Sequence, residues 1–135
     1  MIHVFSSDGN STKISWVIQT GDTTVEQTRE HVEIYKNKIT DLQSKYVALH
    51  IGLFWGIGVF IIKNEDLLKI KIDEKTMFDQ LNGNEKVNDE FIQNRIKFIN
   101  QLIVQRKLKV QYDLNQDTNP TKKIPSAKEL KTKND

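Results

Sequence analysis

Two aspartates in this sequence stand where strands should end. Asp8 follows the apolar run that begins at Ile2 and opens the turn Asp8-Gly9-Asn10, and Asp73 closes the alternating run Leu67–Asp73. Such a pair at adjacent strand ends is able to hold one divalent cation through oxygen ligands. It also has a structural reading: Asp8 serves a glycine turn and Asp73 caps the next helix. Other reactive groups are sparse. His3, His31 and His50 share no metal-ligand spacing, and His50, set in an apolar helix, reads as a buried and satisfied histidine. Trp16 and Trp55 read as core, with Trp55 also a candidate interface residue. There is no phosphate-binding glycine loop, nucleophile elbow or zinc motif.

The composition narrows the class. The chain has 135 residues, 37% hydrophobic and 28% charged, which suits one globular domain with a core. It has no cysteine, which excludes disulfides, thiolate chemistry and cysteine-ligated metals and fits a cytoplasmic setting. A net charge of +2 favours no partner class. No signal peptide is expected. The apolar stretch Tyr46–Ile62 is short for a membrane span and is broken by Gly52, Gly56 and Gly58, so it reads as a buried helix ending near Gly56 or Gly58. We expect a domain over residues 1–120 and a lysine-rich tail over 121–135, which carries Lys122, Lys123, Lys128, Lys131 and Lys133. The tail reads as a solvated end or as a reach for phosphates.

The elements that position these residues follow from periodicity. A first strand covers Ile2–Ser7, and a second covers Lys13–Thr20 with Ile14, Trp16 and Ile18 alternating. A third is expected over Thr23–Tyr35, with Val25 and Val32 or Ile34 facing the core. Thr40 or Asp41 caps a helix whose Leu42, Tyr46, Leu49 and Leu53 share a face. The Leu67–Asp73 strand is followed by a short helix over Glu74–Leu81. A longer helix over Glu90–Arg106 is capped by Asn88 or Asp89, and the strand Leu108–Leu114 comes last. A helix between two strands implies parallel pairing through a right-handed crossover. The product is a mixed α/β (α+β) fold: a five-stranded sheet with the first three strands antiparallel and helices packed on it.

This order, with the run Lys69 to Val87 and its Asp73, Gln80-Leu81-Asn82-Gly83 and Lys86-Val87, resembles type I ribonuclease H, which cuts the RNA strand of an RNA–DNA hybrid. Asp8-Gly9 stands at that family's first aspartate, Thr40 to Tyr46 at the opening of its first helix, Asp73 at its third acid, and Gln116-Asp117-x-Asn119 after its last strand. The resemblance implies a site of four acids holding two divalent cations, one activating water and one stabilising the leaving oxygen. Here it places Lys45 at the glutamate position and Lys123, or a near neighbour, at the last aspartate. Asp41 and Leu42 replace the asparagine pair that reads the hybrid's sugar edge. The catalytic histidine after the last strand has no counterpart in Leu114 to Pro120. An ammonium about 4 Å from a divalent cation repels it by roughly 8 kcal/mol at an effective dielectric of 20, an upper bound because lysine can swing away.

The resemblance therefore implies a catalytically degenerate domain that retains nucleic-acid or protein binding. Asp8 and Asp73 form a vestigial site that holds metal weakly or not at all, and Lys45 and Lys123 meet them as ammonium groups standing in for the metals. Gly9, Asn10, Lys45, Lys86, Lys122 and Lys123 are the expected contacts to RNA–DNA hybrid or duplex. No cofactor is expected. Magnesium or manganese enters only in the alternative, an active enzyme using Asp8, Asp73 and a further acid such as Asp41 or Glu74. The other alternative is a structural subunit, a homodimer or the partner of another protein, joined through Leu53, Phe54, Trp55, Val59 and Phe60. No membrane association is expected.

Overall fold

A computed structural model describes residues 1–115. Gln116, Asp117, Asn119, Lys122 and Lys123, and the expected domain boundary at residue 120, lie outside the described residues. The element order is β1 (Ile2–Gly9), β2 (Lys13–Thr20), β3 (Thr23–Glu30), α1 (Asp41–Gly58), β4 (Leu67–Ile72), α2 (Lys75–Leu81), α3 (Glu90–Gln105) and β5 (Lys109–Leu114). One mixed five-stranded sheet runs β3-β2-β1-β4-β5. The first three strands are antiparallel, while β4 lies parallel to β1 and β5 parallel to β4.

The strand pattern explains the core. Phe5, Ile14, Trp16, Ile18, Leu68 and Ile70 share the sheet face on which α1 packs, and all are buried. α1 supplies Tyr46, Ala48, Leu49 and Leu53, none of them measurably exposed. Gly52 lets the helix approach this closely: a Cβ there would stand 2.6 Å from the Phe5 ring and 2.9 Å from that of Trp16. Trp55, half-buried, packs on Trp16 with ring centroids 5.9 Å apart.

Two expectations need correction. β3 ends at Glu30 rather than Tyr35, and Val32 and Ile34 are exposed. The cause is the partner strand. Lys13, the first residue of β2, pairs with Glu30, so no ladder remains beyond it. The chain instead folds into turns, with Tyr35 and Lys36 N–H bonding the Val32 carbonyl and Asn37 left-handed at φ 61°. Leu53 is core and not part of an interaction surface, whereas Phe54, Val59 and Phe60 are exposed. Among the described residues, no helix is long and apolar enough to cross a membrane.

Candidate functional site

The parallel β1–β4 pairing brings the ends of those strands together, and with them Asp8 and Asp73. The side chain between them comes from α1. Thr40 caps this helix through a capping box with Gln43: Gln43 N–H donates to Thr40 Oγ1 at 3.1 Å and Thr40 N–H to Gln43 Oε1 at 2.8 Å. Gln43 Nε2 also donates to Asp89 Oδ2 at 2.9 Å, and Asp89 caps α3, so the two long helices start from one hydrogen-bonded anchor. One turn further, Lys45 points at the strand ends. Its Nζ donates to Asp8 Oδ1 at 3.2 Å and to Asp73 Oδ1 at 2.9 Å. The three side chains are 9%, 8% and 4% exposed, for Lys45, Asp8 and Asp73 respectively, so this is a buried charge cluster.

Gly9 makes the approach possible. A Cβ on it would stand 2.7 Å from backbone atoms of Ser44, and its N–H donates to Asp8 Oδ1 at 2.8 Å, fixing the carboxylate. Asn10 is used by the turn: its Oδ1 accepts from Thr12 N–H at 2.9 Å and Lys13 N–H at 3.0 Å. Asp73 does not cap α2. Glu74 holds that position and makes no side-chain cap bond. Asp41 is exposed on the first turn of α1, and Lys86 is exposed in the loop after α2. The Gln80-Leu81-Asn82-Gly83 motif is tied to α1 by Tyr46, whose hydroxyl donates to Gln80 Oε1 at 2.9 Å, with Gly83 left-handed at φ 77°. Burial, with weaker effects from Tyr112 and Glu85, holds the Tyr46 phenol far above its ordinary value.

Sequence reasoning missed the partners of the three histidines. His31 is buried beside it, with Nε2 3.0 Å from the Asn10 carbonyl and 2.7 Å from Ser44 Oγ, so an Nε2–H tautomer serves both. Burial is the largest influence on His31 and lowers its pKa, the Asn10 bond opposes this, and Arg95 adds to the lowering. His50 is half-buried and accepts from Arg95 through Nδ1 at 2.9 Å; burial, then Arg95, lowers it to about 4. His3 lies at the opposite end of β1, fully buried between Thr20 Oγ1 at 2.6 Å and Asp66 Oδ2 at 2.7 Å. Burial alone would raise Asp66, but bonds from His3, the Lys63 N–H and the N-terminal amine bring it below the usual carboxylate range. The three histidines serve three separate places, and no residue spacing announces these pairs.

A divalent cation of the magnesium class takes six oxygens. The described donors are two carboxylates with an ammonium nitrogen within hydrogen-bond reach of both. Among the described residues no group of three or more His, Cys, Asp or Glu is placed to hold a metal, so neither Asp41 nor Glu74 completes a set. Among the described residues this donor set alone does not make up a two-metal centre. The arrangement can neutralise two adjacent carboxylates and hold the β1 and β4 ends to α1.

No family model matches the sequence, and no curated protein matches it. Solved structures do match. Ribonuclease H1 of the halophilic archaeon Halobacterium salinarum superposes with a TM-score of 0.68 at 18% identity, covering 85% of this chain and 87% of its own. The N-terminal ribonuclease H domain of a Mycobacterium tuberculosis protein, solved as a fusion with maltose-binding protein, gives 0.66 at 18% identity, covering 96% and 92%. A ribonuclease H1 isolated from compost, solved in complex with an RNA/DNA hybrid, gives 0.61 at 17% identity, covering 84% and 86%. At such identities the likeness is one of fold, and on it this chain has the ribonuclease H-like fold.

Proposed function

We propose that this chain is a ribonuclease H-like domain that binds duplex nucleic acid, RNA–DNA hybrid included, and does not cleave it. The observation that carries this reading is the Lys45 ammonium, 3.2 Å from Asp8 and 2.9 Å from Asp73. It supplies between the two carboxylates the positive charge that a metal would otherwise bring, but it cannot polarise water or stabilise a leaving oxygen as a divalent cation does. The fold shared with a ribonuclease H1 that was solved on an RNA/DNA hybrid supports the choice of ligand. Exposed Lys86, with Lys122 and Lys123 of the tail, are the assigned contacts, the lysines acting as point charges on phosphates, whereas Lys45 and Gly9, expected at this interface from the sequence, are buried on Asp8, and the Asn10 side chain is taken up by its own turn. Metal enters no step of this reading.

Fluorescence anisotropy with a labelled hybrid tests it, with magnesium and with EDTA at two salt concentrations. Binding should be weak, should persist in EDTA and should not be strengthened by magnesium. Each neutralised phosphate should steepen the log–log salt dependence by about 0.9 on a B-form duplex, so a few contacts give a slope of a few units. Preference for hybrid over DNA duplex should be small, since Asp41 and Leu42 replace the residues assigned to the sugar edge. Absence of binding at low salt refutes the reading, as does binding that requires magnesium.

A further inference from the structure

A second surface lies at the other end of α1, about 20 Å from Lys45 at 1.5 Å per residue. There a groove of about 540 Å³ opens between the helix end and the loop to β4, lined by Ile57, Phe60, Ile62, Lys63, Asn64 and Arg106. Its size is that of a pocket for a few side chains. The floor is apolar, and Ile62 joins the core. The rim is cationic: Lys63 and Arg106 are both exposed, and no carboxylate lines the groove. Asp66 nearby is occupied by His3, the N-terminal amine and the Lys63 N–H. The carbonyls at the helix end are also occupied, those of Trp55, Gly56 and Ile57 each accepting a backbone N–H, and exposed Glu65, whose N–H bonds the Arg106 carbonyl at 2.9 Å, is one carboxylate in this loop against the two cations of the rim.

Phe60 is the second observation. Phe60 N–H bonds the Ile57 carbonyl at 3.1 Å and Ile61 N–H the Gly56 carbonyl at 3.0 Å, which is the Schellman pattern of a helix end. Glycine usually fills the left-handed position of that motif, and here a phenylalanine adopts it at φ 66°. Phe60 as a residue is 78% exposed and adds nothing to the core that would offset the strain.

We propose that this groove docks a short segment of another protein that combines an apolar anchor with flanking carboxylates. The anchor fills the space over Ile57 and Ile62 beside the Phe60 ring, and the carboxylates pair with Lys63 and Arg106. This surface is independent of the duplex-binding reading.

The test is anisotropy of a fluorescein-labelled octapeptide, rich in Asp and Glu and ending in Phe-Leu, titrated with the full chain at low salt. Binding should weaken about tenfold in each of Lys63→Glu and Arg106→Glu, and also in Phe60→Gly. It should be lost when serines replace the two apolar residues of the peptide. Phe60→Gly relieves the left-handed strain, so its melting temperature should stay level or rise, and lost binding then reflects the groove and not the fold. Hybrid affinity should be unchanged in Phe60→Gly. Absence of peptide binding, or affinity indifferent to both charge reversals, overturns the proposal. So does a labelled oligothymidylate that binds in the peptide's place and is lost in the same variants, or a concentration-dependent dimer in sedimentation that Phe60→Gly abolishes.

Discussion

Replacing Lys45 by methionine keeps most of the buried stem and removes only the ammonium. At 2.9 and 3.2 Å from Asp73 and Asp8, each ion pair has a gross Coulomb attraction of about 5 to 6 kcal/mol at an effective dielectric of 20. Most of that attraction offsets the desolvation of three side chains that are all under a tenth exposed. The variant keeps that desolvation cost for the two aspartates and loses the attraction, so Lys45→Met should be destabilised by about 3 to 5 kcal/mol. The same variant leaves two neighbouring carboxylates without their shared cation. Magnesium or calcium should therefore restore part of the loss, by about 1.4 kcal/mol at ten times its dissociation constant. The assay is urea unfolding with MgCl2 and with NaCl at matched ionic strength. Wild type should show no magnesium-specific gain. A loss below about 1 kcal/mol in the variant, or equal magnesium stabilisation of wild type, refutes the view that Lys45 is the resident cation.

Lys45→Glu together with Lys123→Asp should raise manganese affinity in calorimetric titration well above that of wild type, because carboxylates then replace ammonium groups at both assigned positions. Gly9→Ala should destabilise the fold by about 1 to 3 kcal/mol in urea unfolding, since its Cβ would meet the backbone of Ser44 at 2.7 Å and drive Asp8 off Lys45. His50 favours the neutral form in the fold, its pKa moving from 6.5 to about 4, so unfolding takes up a proton between those values. Stability should therefore fall as pH drops from 6.5 toward 4, by about 3 kcal/mol at full effect, reduced by solvent screening to about 1 to 2 kcal/mol at this half-buried site. Urea midpoints across that pH range should show this slope, and His50→Gln should reduce it, with His31, whose pKa burial also lowers, keeping a remainder of the same sign.

The sheet was legible because its signals are local. Leu68, Ile70 and Ile72 alternate with Lys69 and Lys71, and the helix between β1 and β4 requires a parallel crossover. Thr40 and Asp89 announced their helices through side chains that accept from the first turns. Val32 and Ile34 misled because β propensity is silent about whether a partner strand still runs alongside, and β2 has none to offer past Glu30. The Lys45 cluster was readable only through the family resemblance, since positions 8, 45 and 73 meet by topology alone. The His3–Asp66 pair, 63 residues apart, and the Arg95 fork on His50 and Tyr35 carry no pattern at all in the sequence.

The most direct measurement of the central claim is incubation of this chain with a hybrid labelled on its RNA strand, in magnesium and then in manganese. Each mixture is split between a native and a denaturing gel. The account predicts a salt-sensitive shift on the native gel and intact RNA on the denaturing gel with either metal. RNA fragments that appear with metal and vanish with EDTA would contradict it, because Asp8 and Asp73 would then be serving a working metal centre with Lys45 displaced.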